Sequence, residues 1–142
     1  MKLSTKSRYS IRFLLDMALH QDREHVNVFD IAQRQGISPR YLEQIVAELK
    51  KNGYVRSIRG AHGGYTLILP LEKINVCDVI RIFEGDLELV ETQKNESALE
   101  RCLRKNVYDV LSSRISAFLS GYTLSDLVQR CHEQCEANMY YL

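Results

Sequence analysis

The sequence predicts a mainly α-helical chain with one small β-hairpin, and three observations carry that expectation. Apolar residues recur at three-to-four spacing through most of the chain; strand-like patterning is confined to the stretch 54–69; and Gly or Pro stands where one period gives way to the other. A length of 142 residues suits one compact unit or a small domain with an appendage, and excludes two large independent domains. No stretch approaches the roughly 20 uninterrupted apolar residues of a bilayer span, and the start, Met1 to Lys6, lacks the apolar core of a secretory signal. A cytoplasmic protein without membrane contact is therefore expected.

The first helix follows from Ile11, Leu14, Leu15, Ala18 and Leu19 behind the candidate caps Ser4 and Thr5, with an end expected near Asp22. His25 and Asn27 mark a connection. Asp30 to Gln35 reads as a short helix stopped by Gly36, and Ser38-Pro39 opens a third, with Ser38 at the N-cap and Pro39 in the first turn. Tyr41, Leu42, Ile45, Val46 and Leu49 form its inward face, and Asn52-Gly53 closes it. A short helix, a turn with Gly and a longer helix is the helix-turn-helix arrangement, although a plain helical hairpin in a bundle has the same local pattern.

The following segment separates the two. Tyr54 to Arg59 alternates like a strand, Gly60-Ala61-His62-Gly63-Gly64 makes a turn, and Tyr65 to Leu69 returns. This predicts a β-hairpin wing with Arg56, Arg59 and His62 on or near its tip, where Gly60, Gly63 and Gly64 would let backbone approach a phosphate or a groove wall. A positive-φ turn is the simpler explanation of the glycines. Charge points the same way as the wing: residues 1–65 hold 11 Lys/Arg against 6 Asp/Glu, and the remainder 8 against 12. The basic half invites a polyanion, although solvated surface accounts for such a surplus about as well. Helices, hairpin and basic residues together favour a winged helix-turn-helix head that binds double-stranded DNA.

Beyond the wing, Pro70 and Leu71 end the hairpin, and Asn75 caps a helix through Val76, Val79, Ile80 and Phe83 that stops at Glu84-Gly85. Leu87 to Ser97 has no period and reads as a hinge. A long helix then carries Leu99, Leu103, Val107, Val110, Leu111, Ile115, Phe118 and Leu119 in one apolar stripe, longer than a single head needs to cover itself, which suits a homodimer interface. An intramolecular core helix is the alternative. Ser120-Gly121 closes it, and Thr123 to Asp126 resembles a capping box that opens a last short helix. The expected division is a DNA-binding head over residues 1–85 and a hinge, dimerisation helix and regulatory segment over 86–142.

The chain also resembles a known family. Leu3 to Tyr9, Ile31-Ala32 with Ile37-Ser38, Tyr41-Leu42-Glu43-Gln44, and Ser57 to Tyr65 are similar to the motifs of the Rrf-two family of bacterial transcription regulators, with the CymR type closest in character. The resemblance implies a dimeric repressor that sets two third helices in successive major grooves and two wings in flanking minor grooves of a pseudo-palindromic operator. It assigns Ser38, Arg40, Tyr41, Glu43 and Gln44 to the major groove and Arg59 to the minor groove. Lys6, Arg8, Lys50, Lys51 and Arg56 suit phosphates. It further implies regulation of sulfur or cysteine metabolism, with a partner enzyme such as cysteine synthase carrying the signal. Glu43 is equally explained as an exposed carboxylate favoured by the helix dipole.

Family members with an iron–sulfur cluster hold it through three cysteines before the long helix. Here only Cys102 matches, the two earlier places falling near Val90 and Glu96, and a family histidine is Lys105; no cofactor is expected. Cys131 and Cys135, four apart with His132 between, leave three readings open: unremarkable thiols, redox sensing, or metal binding together with Cys102. Cys77, among Val76, Val79 and Ile80, reads as a small buried apolar residue. Structural disulfides are not expected. No enzyme is expected either: a Cys102 or Cys135 nucleophile with His132 as base has no Gly-rich oxyanion turn nearby, and the histidines lack zinc-protease spacing. A winged helix that binds protein instead of DNA is the competing class.

Overall fold

The computed structural model describes residues 2–21, 25–61 and 63–139, with side chains as far as 136. Helix α1 (Thr5–Leu19) begins at Ser4, whose hydroxyl accepts from the Ser7 amide, and closes on His20, whose N–H bonds Met17 O. The end expected near Asp22 thus comes earlier, and Asp22 itself lies outside the described residues. Helix α2 (Val28–Gln35) starts two residues before the expected Asp30, because the Asn27 side chain accepts from the Phe29 amide at 2.7 Å and makes the connection itself a cap. Helix α3 (Pro39–Lys51) starts on Ser38, as its cap and proline predict.

The hairpin is shorter and shifted. Strands β1 (Val55–Ile58) and β2 (Gly64–Leu67) pair antiparallel, Val55 opposite Leu67 and Ile58 opposite Gly64. Gly64 therefore belongs to a strand and not to the turn, and Ile68 and Leu69 lie beyond the end of β2, although the Ile68 N–H still bonds Tyr54 O at 3.0 Å. A third segment joins: Val26 and Tyr65 exchange two backbone hydrogen bonds of 2.9 Å, so the connection after α1 edges the wing.

After a 3₁₀ turn at Leu71–Lys73, α4 (Val76–Glu84) is capped by Asn75 and ended by Gly85 at φ 73°. Residues 86–97 form no regular element. Helix α5 (Ala98–Leu103) runs through a π turn (Arg104–Tyr108) into α6 (Asp109–Ser120). Thr123 and Asp126 then close a reciprocal capping box, Asp126 Oδ2 accepting from the Thr123 amide at 2.9 Å and Thr123 Oγ1 from the Asp126 amide at 3.2 Å. The helix it opens is not short: α7 spans Leu124–Met139.

One core gathers Phe13 and Leu14 of α1, Ile31 of α2, Leu42, Ile45 and Leu49 of α3, Val55 of the wing and Val79 of α4. Leu124, fully buried, belongs to it as well, because residues 121–128 return to the head. Val76 N–H bonds Tyr122 O at 3.0 Å, Leu124 N–H bonds Ile74 O at 2.8 Å, and the side-chain Nδ2 of Asn75 donates to Ser120 O at 2.8 Å. Among the described residues no helix is long and apolar enough to cross a membrane.

Candidate DNA-binding surface

The turn between α2 and α3 is set by local chemistry. Gly36 takes φ 65°, a left-handed conformation that a side chain would strain, and Ile37 N–H reaches back to Ala32 O at 3.0 Å. Ile37 is buried beneath the turn, and Ser38 Oγ accepts from the Tyr41 amide at 3.3 Å to launch α3. With Leu42, Ile45, Val46 and Leu49 turned inward, Ser38, Arg40, Glu43, Gln44, Lys50 and Lys51 are exposed on the rest of the helix.

A buried carboxylate locks this helix pair to α1. Asp16, on the apolar side of α1 beside Phe13 and Met17, accepts from Arg34 Nε at 3.1 Å, Arg34 Nη2 at 2.7 Å and Gln35 Nε2 at 2.8 Å. Burial is the largest single influence on this carboxyl and pushes its pKa up, but the hydrogen bonds from Arg34 and Gln35 and the charges of Arg34 and His20 together outweigh it, and the net direction is down. The same contact raises the Arg34 pKa. One turn earlier, Arg12 Nη2 donates to Gln35 O, the last carbonyl of α2, at 2.6 Å, while its guanidinium lies 5.1 Å from the centre of the Tyr9 ring. Tyr9 meets Tyr41 edge-on at 5.8 Å. Of the five side chains assigned to the major groove, Tyr41 is therefore half-buried against α1, and the other four are exposed, Ser38 while capping α3.

Arg12, Asp16, Arg34 and Gln35 were not among the expected site residues. The available signal was Asp16 itself, a charge in phase with the apolar residues of an amphipathic helix.

In the wing, Arg56 and Arg59 are exposed and His62 lies outside the described residues. Gly60 alone of the three turn glycines has positive φ, at 128°. Gly63 and Gly64 have an internal reason instead: a Cβ on Gly63 would collide with the Ile58 carbonyl oxygen, and one on Gly64 would lie 2.5 Å from Val26 O. Lys50 Nζ donates to Ser57 Oγ at 3.2 Å, tying the end of α3 to β1. Lys6 and Arg8 are exposed at the start of α1, where Ser4 N–H and Ser7 Oγ donate to Glu84 Oε1 at 2.7 and 2.5 Å. The Ser4 hydroxyl first, then the Ser7 hydroxyl and the Ser4 N–H, hold the Glu84 carboxyl below its ordinary pKa.

The α5–α6 rod carries a second surface. Leu99 and Phe118 are 80% and 66% exposed, and Leu103, Val107, Val110 and Leu111 are also exposed, whereas Ile115 and Leu119 are half-buried. In an unbroken α-helix, residues four apart drift by about 40° per step. The wider π turn removes most of that drift, so Leu99, Leu103, Val107 and Leu111 stay on one side. Within it, Asn106 Nδ2 donates to the Cys102 carbonyl at 2.7 Å.

The residues around Cys102 do not fit an iron–sulfur cluster. Glu96, at one earlier cysteine place, accepts from Arg104 Nε at 2.7 Å and Nη2 at 2.9 Å, a fork that lowers its pKa and raises that of Arg104. Among the described residues no three His, Cys, Asp or Glu side chains converge, so Cys102 does not join Cys131 and Cys135 in one ligand set within a chain. Cys77 is buried.

Residues 3–130 match the family model Rrf2, described as an iron-dependent transcriptional regulator. This chain belongs to the Rrf2 family. It is 41% identical over 132 residues to protein rrf2 of Nitratidesulfovibrio vulgaris, covering 91% of this chain and 88% of that protein. It is 42% identical over 130 residues to the HTH-type transcriptional regulator IscR of Serratia proteamaculans, covering 90% and 79%. The solved structure of CymR from B. subtilis, described as its global cysteine regulator, superposes with a TM-score of 0.80 at 33% identity over 92% of this chain and 98% of that one. IscR of T. potens gives 0.78 at 36% identity over 94% and 90%. The fold is thus that of the Rrf2 winged-helix regulators, and the chain is a transcriptional regulator for which membership implies DNA binding.

Proposed function

We propose that this chain is a homodimeric repressor that occludes promoters by occupying a pseudo-palindromic operator. The observation that carries the reading is the pairing of two surfaces: an exposed outer face on α3, whose companion helix α2 is locked to α1 through Asp16 and Arg34, and an arginine-bearing hairpin beside it. In this reading residues 1–85 form the DNA-binding head, with Ser38, Arg40, Glu43 and Gln44 at base edges, Arg59 and the turn of the wing in the minor groove, and Lys6, Arg8, Lys51 and Arg56 on phosphates. Lys50 and Tyr41 serve chiefly to position α3. Residues 86–142 supply the arm whose uncovered apolar face, Leu99 to Phe118, is closed by a second copy.

Genes of sulfur and cysteine metabolism are the proposed targets, supported by the likeness to the B. subtilis cysteine regulator. A partner enzyme such as cysteine synthase is the corresponding signal carrier, and co-purification from cells grown with and without cysteine tests it. The repressor reading is tested by selecting operator fragments from genomic DNA and titrating them at several salt concentrations. Binding should weaken steeply with salt, by a slope of about 0.9 per phosphate neutralised. A protein-binding winged helix would instead retain no fragment selectively.

A further inference from the structure

The motif Cys131-His132-Glu133-Gln134-Cys135 is not used by the DNA-binding reading, and the structure narrows what it can do. Both thiols are free, and both lie on one continuous helix, α7, four residues or about 1.1 turns apart. Cys131 continues the inward row of Leu124 and Val128, by which α7 sits on the head, and is half-buried; Cys135 follows it into solvent. The pair therefore stands where α7 leaves the protein, with one thiol sheltered and the other open.

Spacing excludes one chemistry. Residues four apart on a helix hold their Cβ atoms about 5–6 Å apart, whereas a disulfide needs roughly 3.5–4.5 Å. Oxidation to a Cys131–Cys135 disulfide would require the helix to unwind. The same span is covered by two sulfurs leaning toward a shared ion with metal–sulfur bonds of about 2.3 Å. Donor number then restricts the ion. His132 and Glu133 project about 100° and 200° round the helix from Cys131, and the Glu133 carboxylate already accepts from Gln129 Nε2 at 3.0 Å. With no three such side chains converging among the described residues, those residues offer two soft thiolates at this place in one chain, short of the four ligands that structural zinc or an iron–sulfur cluster takes.

We propose that Cys131 and Cys135 form a two-thiolate clamp for a soft, thiophilic monovalent ion of the cuprous class, which accepts low coordination numbers. Each thiol gives up its proton on binding, so one ion enters and two protons leave without oxidation or reduction. The clamp joins the sheltered turn of α7 to the open one and stiffens the helix as it departs from the head. This goes beyond the repressor reading and does not rest on it.

The test uses the full-length, reduced protein without oxygen, titrated with Cu(I) against a chromogenic cuprous chelator. The expected result is one ion per chain in the unaltered protein and in Cys102→Ser, with affinity reduced about 100-fold or more in both Cys131→Ser and Cys135→Ser, the usual loss when two-point attachment becomes one-point. Far-ultraviolet circular dichroism establishes that the variants fold, and Cys135, being exposed, is the substitution that leaves packing intact. Equal uptake by all four proteins, loss of uptake in Cys102→Ser, or a Cys131–Cys135 disulfide formed under mild oxidation with helix content unchanged would each overturn the clamp. Because the titration contains no DNA, its failure is distinct from a failure of operator binding.

Discussion

Replacing Asp16 by Ala removes the acceptor of three hydrogen bonds while leaving the donors in place. The Asp16 side chain is 2% exposed, and its loss leaves Arg34 and Gln35 without their acceptor. A hydrogen bond to a buried charged group contributes about 1.5–3 kcal/mol. The Arg34 side chain is 29% exposed and recovers part of its hydration by swinging outward, which moves its share toward the 0–1 kcal/mol or so of a surface pair. Together with the orphaned Gln35 amide, the expected cost is about 2–3 kcal/mol, or roughly 5–10 °C in Tm for a chain of this size. Urea unfolding at one fixed protein concentration measures it, since dimer formation makes apparent stability concentration-dependent. The pH dependence adds a sign. The Asp16 pKa is lowered on folding from 3.8, so its contribution is fully present above that value and is lost as pH falls below it toward the folded pKa. The Asp16→Asn variant should lose less stability than the parent between pH 4 and pH 2. An Asp16→Ala protein with unchanged Tm, or acid unfolding that runs parallel in parent and Asn variant, would refute the lock.

Three further outcomes are expected. Arg59→Ala should weaken operator binding by about 1–3 kcal/mol and reduce the salt slope by about one; fluorescence anisotropy across salt concentrations reads both, and an unchanged slope removes Arg59 from the wing contact. Gly64→Ala places a Cβ where Val26 O stands and should break the paired 2.9 Å bonds between Val26 and Tyr65, costing about 2 kcal/mol or more, seen as faster amide exchange at Val26 and Tyr65 with the α3 amides still protected. Leu111→Glu should yield a folded monomer by light scattering, because it places a charge in the middle of the uncovered face of α6.

Features governed by a side chain and its immediate neighbours were readable from the chain alone. Ser38-Pro39, Asn75 with Gly85, and the Thr123–Asp126 box mark helix ends because the capping side chain and the amide it serves lie within three residues of each other. Asn27 obeys the same rule, but among polar neighbours it reads as connection, and the start of α2 was placed late. Two other features depend on contacts distant in sequence. Gly63 and Gly64 look like turn residues until the carbonyls of Ile58 and Val26 are seen to occupy the space their side chains would need. Asp16 is locally a misplaced charge, and only the return of α2 across α1 supplies its partners. The stripe from Leu99 to Leu119 was visible as one face, but the π turn within it, with Asn106 bonded to the Cys102 carbonyl, is a change of helix pitch that no periodicity reports. The return of Leu124 into the core was hidden because a buried leucine next to a capping box looks the same whichever core it enters.

That return changes the mechanics of the arm. Residues 86–120 leave the head after Gly85 and are fastened to it again at Tyr122 and Leu124. A segment held at one end swivels like a flag, whereas one held at both ends behaves as a handle. In a pair of such chains joined by their handles, the distance and angle between the two α3 helices are fixed by the frame instead of by a pliable linker. Inserting or removing a single base pair between operator half-sites then turns one site about 34° away from its reader, and a rigid frame has no slack with which to follow.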